Sequence, residues 1–180
     1  ARGKRRYCMY VSETQDQADK HVATISHILE SEQMASYYPD VGQPRLGRNG
    51  SRRWNRQMLT AANGFTVEAI GLDKAIRGHK IDWIRPDLII FDDIDGKHDT
   101  EAATKKKETT ITASIIQAGA ENCAVLFVQN LIHHDSIAHR LSKLPNEDGA
   151  ADYLTNRIIS GPYPAVEDLE YEFKRQDDGS

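Results

Sequence analysis

The sequence predicts an α/β protein, an open and mostly parallel sheet with helices on both faces. Three observations carry that prediction. Tyr7–Ser12, Leu88–Phe91 and Cys123–Val128 are short apolar, β-forming runs of the kind buried on both sides of a parallel sheet. Segments with apolar residues at helical spacing alternate with them. A chain of 180 residues, 39% hydrophobic and 28% charged, can also fill one core without disulfide or metal staples. The same composition excludes a disordered chain, and no apolar run approaches the roughly 18 residues of a membrane span. Two cysteines, Cys8 and Cys123, each within an apolar run, exclude a disulfide scaffold and fit a reducing cytoplasm. Ala1-Arg2-Gly3-Lys4-Arg5-Arg6 leads into a strand rather than a signal-peptide core.

Along the chain, Tyr7–Ser12 reads as the first buried strand, bounded by charge. Thr14 followed by Gln17 has the form of a capping box, and Ala18, Val22, Ile25, Ile28 and Leu29 continue as a helix to about Glu32. Residues 39–53 read as a loop broken by Pro39, Gly42, Pro44, Gly47 and Gly50. Asn63-Gly64 between two apolar runs, 57–60 and 65–70, is a hairpin signal. Gly71 to Lys80 forms a second loop, and Leu88–Phe91 the next buried strand. A helix is expected over Thr100–Gln117 with Gly119 as its C-cap, then a strand over Cys123–Val128. A last helix runs over Asp135–Leu144 with Asp135 as N-cap, stopped by Pro145, and Tyr153–Ile159 offers one more strand. We therefore expect a core over residues 1–160 and an acidic exit linker or edge segment over 161–180.

Charge is uneven. Residues 1–60 carry ten Lys/Arg and six Asp/Glu, while the remainder carries thirteen and twenty-one, so a front of +4 sits within a chain of net −4. A local basic region of this kind can bind a polyanion. Arg45, Arg48, Arg52, Arg53 and Arg56 cluster around Trp54. Guanidinium groups neutralise backbone phosphates and an indole stacks on bases, so these six residues are the nucleic-acid-binding candidates; a solvated loop has the same composition. Lys105-Lys106-Lys107 reads as a solvated helix face.

Chemistry is expected at the carboxyl ends of the strands. Four apolar residues run into Asp92-Asp93. In a phosphate-handling α/β protein the acid at such a strand tip holds Mg²⁺, and the next acid orients or deprotonates a water. The same pattern also describes a strand ending in a solvated acidic turn. The strand Val125–Val128 ends in two amides, Gln129 and Asn130, placed to touch a γ-phosphate or its water, or simply to make a turn. Arg77-Gly78 puts a bidentate cation on a flexible loop, suited to phosphate contact or to a finger acting on a neighbouring subunit. His133, His134 and His139 read as helix-start residues rather than a metal site, and the cysteines lack zinc spacing. No Gly-x-x-x-x-Gly-Lys-Ser/Thr phosphate loop occurs: Gly42 to Gly47 has the glycine spacing, but Arg48-Asn49 follows.

Taken in order, Lys4–Ala18, Gly71–Gly78, Arg85–Asp95 and Val128–His133 resemble the ATPase domain of phage and prophage large terminase subunits, the motors that package viral DNA. The Arg-Pro-Asp strand ending in Asp-Asp is the most specific part. The resemblance implies an incomplete P-loop NTPase-like core, ATP and Mg²⁺ as cofactors, and hydrolysis that drives double-stranded DNA into a capsid. It implies Asp92 as the Mg²⁺ (Walker B) acid, and Asp93 or Asp95 as the acid that activates water. Gln129-Asn130 would be the coupling motif and Arg77 a finger acting in trans. It also implies a homo-oligomeric ring, portal and small terminase subunit as partners, and the host cytoplasm as location. The family's Walker A loop would precede Tyr7 and its nuclease domain would follow, so the chain is expected to be a truncated core that binds ATP poorly alone. Two other readings use the same residues. One is a helicase-like DNA translocase. The other is a non-catalytic nucleic-acid-binding module that binds through 45–56 and is indifferent to ATP.

Overall fold

The chain runs β1 (Tyr7–Ser12), α1 (Gln15–Leu29), α2 (Glu32–Tyr37), β2 (Met58–Thr60), β3 (Thr66–Gly71), β4 (Leu88–Asp92), α3 (Glu101–Thr110), a π-helical stretch Ile111–Ile115, α4 (Ile116–Ala118), β5 (Ala124–Val128) and α5 (Ile137–Ser142). This order is seen in a computed structural model that describes residues 5–47, 49–50, 52–74, 84–143 and 147. The expected strand over 153–159, the segment 161–180 and the loop carrying Arg77 lie outside the described residues.

The five strands form one mixed, mostly parallel sheet of order β2-β3-β1-β4-β5, with β2 antiparallel to β3 and every other pair parallel. The α/β class, the three strands and the hairpin are as the sequence predicts, but β5, expected to be buried, is an edge strand with no fully buried residue. Asn63-Gly64 makes the β2–β3 turn, with Gly64 at φ 86°, a backbone conformation that favours glycine. The central strand is β1, held between β3 and β4.

Both sheet faces are covered. Tyr7, Met9, Val11, Ile89 and Phe91 pack with Ile111, Ile115 and Ile137 on one face; Cys8, Leu59, Val67 and Ala69 pack with Ala18 and Val22 of α1 on the other. The isoleucines 111, 115 and 137 are fully buried, and each such side chain contributes about 2 kcal/mol of apolar burial. Coverage of the α1 face stops short of β5. Leu126 and Val128, two residues apart on that strand, stay about half exposed, at 51% and 49%. Among the described residues the outer edge of β5 has no strand partner.

The Arg85-Pro86-Asp87 lead-in to β4 has a structural task. The Asp87 carboxylate accepts the backbone N–H groups of Arg6 (2.8 Å) and Tyr7 (3.0 Å), and the Arg5 guanidinium donates to the carbonyls of Asp87 and Asn122, both at 2.8 Å. The amino ends of β1, β4 and β5 are thereby tied together.

Three local expectations are corrected. The first helix ends at Leu29, and Ser31 caps the separate α2, which buries no residue and so leaves no apolar periodicity to read. The helix expected over 100–117 starts as predicted at the Thr100 cap but widens to π geometry at 111–115. There Thr109, Thr110 and Thr112 bond back to the carbonyls of Lys105, Lys106 and Glu108, and such back-bonding distorts a helix built from β-branched residues. Gly119 is the C-cap of that helix, as expected, in an extended conformation (φ −61°). A Cβ there would lie 3.0 Å from that of Cys123, so close packing is what calls for glycine. Finally, Ser136 and not Asp135 caps α5, its hydroxyl accepting the His139 N–H.

Candidate functional site

The carboxyl ends of β1, β4 and β5 meet at one corner, and the acidic candidates lie there. β4 and β5 run in parallel register, Phe91 beside Phe127 and Asp92 beside Val128, so Asp93 and Gln129 leave adjacent strand tips together. The stacked rings of Phe91 and Phe127, 4.5 Å between centroids, brace the two strands just beneath.

Asp92 is half-buried and accepts a hydrogen bond from the Tyr10 hydroxyl. Burial first, and then the Asp92 carboxylate, hold that hydroxyl well above the usual tyrosine range, so Tyr10 remains a donor at neutral pH. The other oxygen of Asp92 has no hydrogen-bond partner among the described residues. Ser12 ends the neighbouring strand, one residue beyond the paired Val11 and Phe91. Its Oγ is buried without a hydrogen-bond partner among the described residues. A carboxylate beside an orphaned buried hydroxyl is a hard oxygen donor set, which fits Mg²⁺.

Asp93 is exposed and has φ 52°, the left-handed region, the sole non-glycine residue so placed among the described residues. Aspartate enters this region more readily than most L-residues, so the cost sits at the low end of about 1–2 kcal/mol. Its surroundings enforce it. The Asp93 N–H donates to the Val128 carbonyl at 3.2 Å. The Gln129 Oε1 accepts the N–H groups of Ile94 (2.7 Å) and Asp95 (3.3 Å), while its Nε2 lies 3.5 Å from Asp93 Oδ1. Gln129 thus grips the turn that carries Asp93. Asn130 is exposed beside it.

Asp95 has a different task. It is 4% exposed, and its two oxygens accept the N–H groups of Ile137 and Ala138, each at 2.9 Å. Both acceptors are committed to the first turn of α5, so this carboxylate anchors a helix. Of the two rival acids, Asp93 alone faces solvent.

The basic segment lies elsewhere. Thr60 donates to the Arg53 carbonyl at 2.7 Å and accepts the Arg45 N–H at 2.8 Å, so residues 43–56 close the outer edge of β2. That edge is three strands from β4, about 14 Å at normal strand spacing. Leu46 bridges Arg52, which sets Arg45 and Arg53 opposite each other, and all three arginines are exposed. Trp54 is no free stacking platform: it packs on the α1-side core and its Nε1–H donates to Glu30 at 2.8 Å. Arg56 pairs with the buried Asp19 at 3.3 Å. Arg48 and Arg77 lie outside the described residues. Among those described, no cluster of histidine, cysteine or acidic side chains has a metal-binding arrangement of three or more, and no helix is long and apolar enough to cross a membrane.

The motif reading missed Tyr10, Ser12, Glu13, Asp99 and Lys107. Tyr10 and Ser12 were hidden inside a strand that reads as an apolar run, where they alternate with the core residues Met9 and Val11. Lys107 was hidden in a triplet of lysines of which two, 105 and 106, do point to solvent. Scans of this chain against protein-family models, curated proteins and solved structures return no match.

Proposed function

We propose that this corner is the metal- and water-handling half of a nucleoside triphosphatase, and that the chain is part of an ATP-driven DNA-packaging motor. One observation carries the reading. An exposed acid, Asp93, is held in a strained backbone conformation at the tip of a buried parallel strand, beside a second acid and gripped by an amide from the next strand. Strained non-glycine residues persist where function requires a fixed direction. The packaging role itself rests on the terminase resemblance of the motifs around these residues.

In this reading Asp92 holds Mg²⁺, with Ser12 beside it and Tyr10 fixing the carboxylate through its hydroxyl. Bound Mg²⁺ supplies charge neutralisation for the triphosphate oxygens. Asp93 accepts a hydrogen bond from the attacking water and directs it in line. Gln129 senses the change at that turn through the Ile94 and Asp95 amides and passes it to β5. Asp95 is removed from the chemistry and assigned to α5. The phosphate cradle and the Arg77 finger complete the site in the assembled protein.

The test is a Mg²⁺ titration of this chain followed by amide NMR. The expected result is saturable shifts confined to Ser12, Asp92–Asp95 and Gln129, abolished by Asp92→Ala. Shifts that survive Asp92→Ala, or no shifts at millimolar Mg²⁺, reject the assignment and favour a nucleic-acid module that keeps the fold without catalysis.

A further inference from the structure

Lys107 sits in a Lys-Lys-Lys run, yet its side chain is only 15% exposed. An ammonium has three donors, and all three are taken by different parts of the chain. Nζ donates to Glu13 Oε1 (2.8 Å) just after β1, to the Ile94 carbonyl (3.0 Å) in the turn after β4, and to Asp99 Oδ2 (2.6 Å) ahead of α3. Burial alone would lower its pKa, but the hydrogen bonds it donates to Asp99 and Glu13 raise it above the usual lysine value, so it stays charged. Asp99 also accepts the Gly96 N–H at 2.8 Å. A Cβ at Gly96 would come within 2.7 Å of Glu13 Oε1 and 3.0 Å of Asp99 Oδ1, so glycine is what lets both carboxylates close on the ammonium.

These bonds complete a cage around one residue. The turn is held from the β5 side by Gln129 on the Ile94 and Asp95 amides, and from below by Asp95 on α5. Lys107 supplies the opposing pull, on the carbonyl of Ile94, the residue next to Asp93. Without it, the Ile94–Asp95 peptide, one beyond Asp93, keeps among the described bonds only its N–H hold on Gln129, and the turn can swing so that Asp93 relaxes toward an unstrained conformation.

We propose that Lys107 is the positioning residue for Asp93: through the Ile94 carbonyl it holds the left-handed turn that aims the exposed carboxylate. Asp93's role with water rests on the reading above, but the conformational link does not.

The experiment compares the native chain with Lys107→Met, Lys107→Arg and the control Lys106→Met. The readout is the Asp93 HN–Hα coupling, which reports φ, together with hydrogen exchange of the Ile94 amide. Lys107→Met is expected to move Asp93 out of the left-handed region and to speed Ile94 exchange at least about tenfold. Lys107→Arg is expected to restore both in part, and Lys106→Met to change neither. A native coupling and native exchange in folded Lys107→Met overturn the proposal and leave Lys107 as a brace only.

A second measurement covers the case in which Lys107→Met folds poorly. Urea midpoints are compared for Lys107→Met in the native chain and in an Asp93→Gly background. If Lys107 holds a strained turn, its loss lets the native chain relax and recover that strain, whereas glycine has none to recover. The midpoint shift is then larger in the Asp93→Gly background, and equal shifts overturn the proposal. Failure of the Mg²⁺ titration would remove the hydrolytic reading while leaving both of these outcomes to decide the role of Lys107.

Discussion

The acidic corner and the basic edge strip were equally prominent in the sequence, and the structure treats them in opposite ways. At the corner, side chains far apart in sequence converge: Tyr10 on Asp92, Gln129 on the 93–95 turn, Lys107 across three segments, Asp95 on α5. In the strip, two of the cationic and aromatic groups are themselves spent on the fold, also over long sequence distances. Trp54 fills the core beside α1 and Arg56 neutralises Asp19. Density of a residue type therefore says less about function than what its polar atoms are bonded to. A site is recognisable where long-range bonds fix the surroundings of a group and leave the group itself open. Asp93 meets that description and Trp54 does not.

Breaking the corner at its anchor should produce the largest effect. Asp95→Ala removes two bonds to a buried carboxylate and is expected to cost about 3 kcal/mol, read from urea unfolding, with faster exchange at Ile137 and Ala138. A loss below about 1 kcal/mol would mean that Asp95 is not the anchor of α5. Next is the strip. Trp54→Ala should cost about 2 kcal/mol because it empties part of the α1-side core, while Trp54→Phe should recover most of that. A neutral Trp54→Ala would return the indole to the list of free binding groups.

Asp93→Gly sharpens the comparison, since it is expected to do the reverse and stabilise the chain by about 1 kcal/mol. Loss of stability instead would show that the carboxylate itself supports the fold. The smallest effect belongs to the exposed arginines. Replacing Arg52 and Arg53 by Ala should leave stability within about 0.5 kcal/mol. It should also lower the salt slope of any double-stranded DNA binding by about 2. An unchanged slope would place the polyanion contact elsewhere on the molecule.

Periodicity and turn chemistry made the strands, the hairpin and the capped start of α1 legible, because each follows from neighbours within a few residues. The tip of β4 was legible for the same reason, as an apolar run that stops at Asp92-Asp93. The identity of the exposed acid was not. Asp93 and Asp95 differ only in what reaches them from residues 129, 137 and 138, and pairwise long-range geometry leaves no local trace. Lys107 was illegible for the same cause, its partners being supplied by Glu13, Ile94 and Asp99. The π-helical widening had a visible signal in the Thr109, Thr110 and Thr112 run, but no periodicity rule expects it.

Strand β1 is made before both of its neighbours and sits in the middle of the sheet, and that has a consequence in time. Its partners are residues 66–71 and 88–92, and the Arg6 and Tyr7 amides wait for the Asp87 carboxylate. At about 5–20 residues per second of synthesis, the roughly 54 residues between Ser12 and β3 take about 3–11 seconds. For that interval Tyr-Cys-Met-Tyr-Val-Ser is an uncharged, β-prone hexamer with nothing to pair with, the kind of segment that associates with its copies. Arg5 and Arg6 stand directly before it. Early on they are the flanking charges that keep it in solution. Once Asp87 and Asn122 arrive, Arg5 and the Arg6 backbone become the bonds that seat it, so the same two residues guard the strand during synthesis and lock it afterwards.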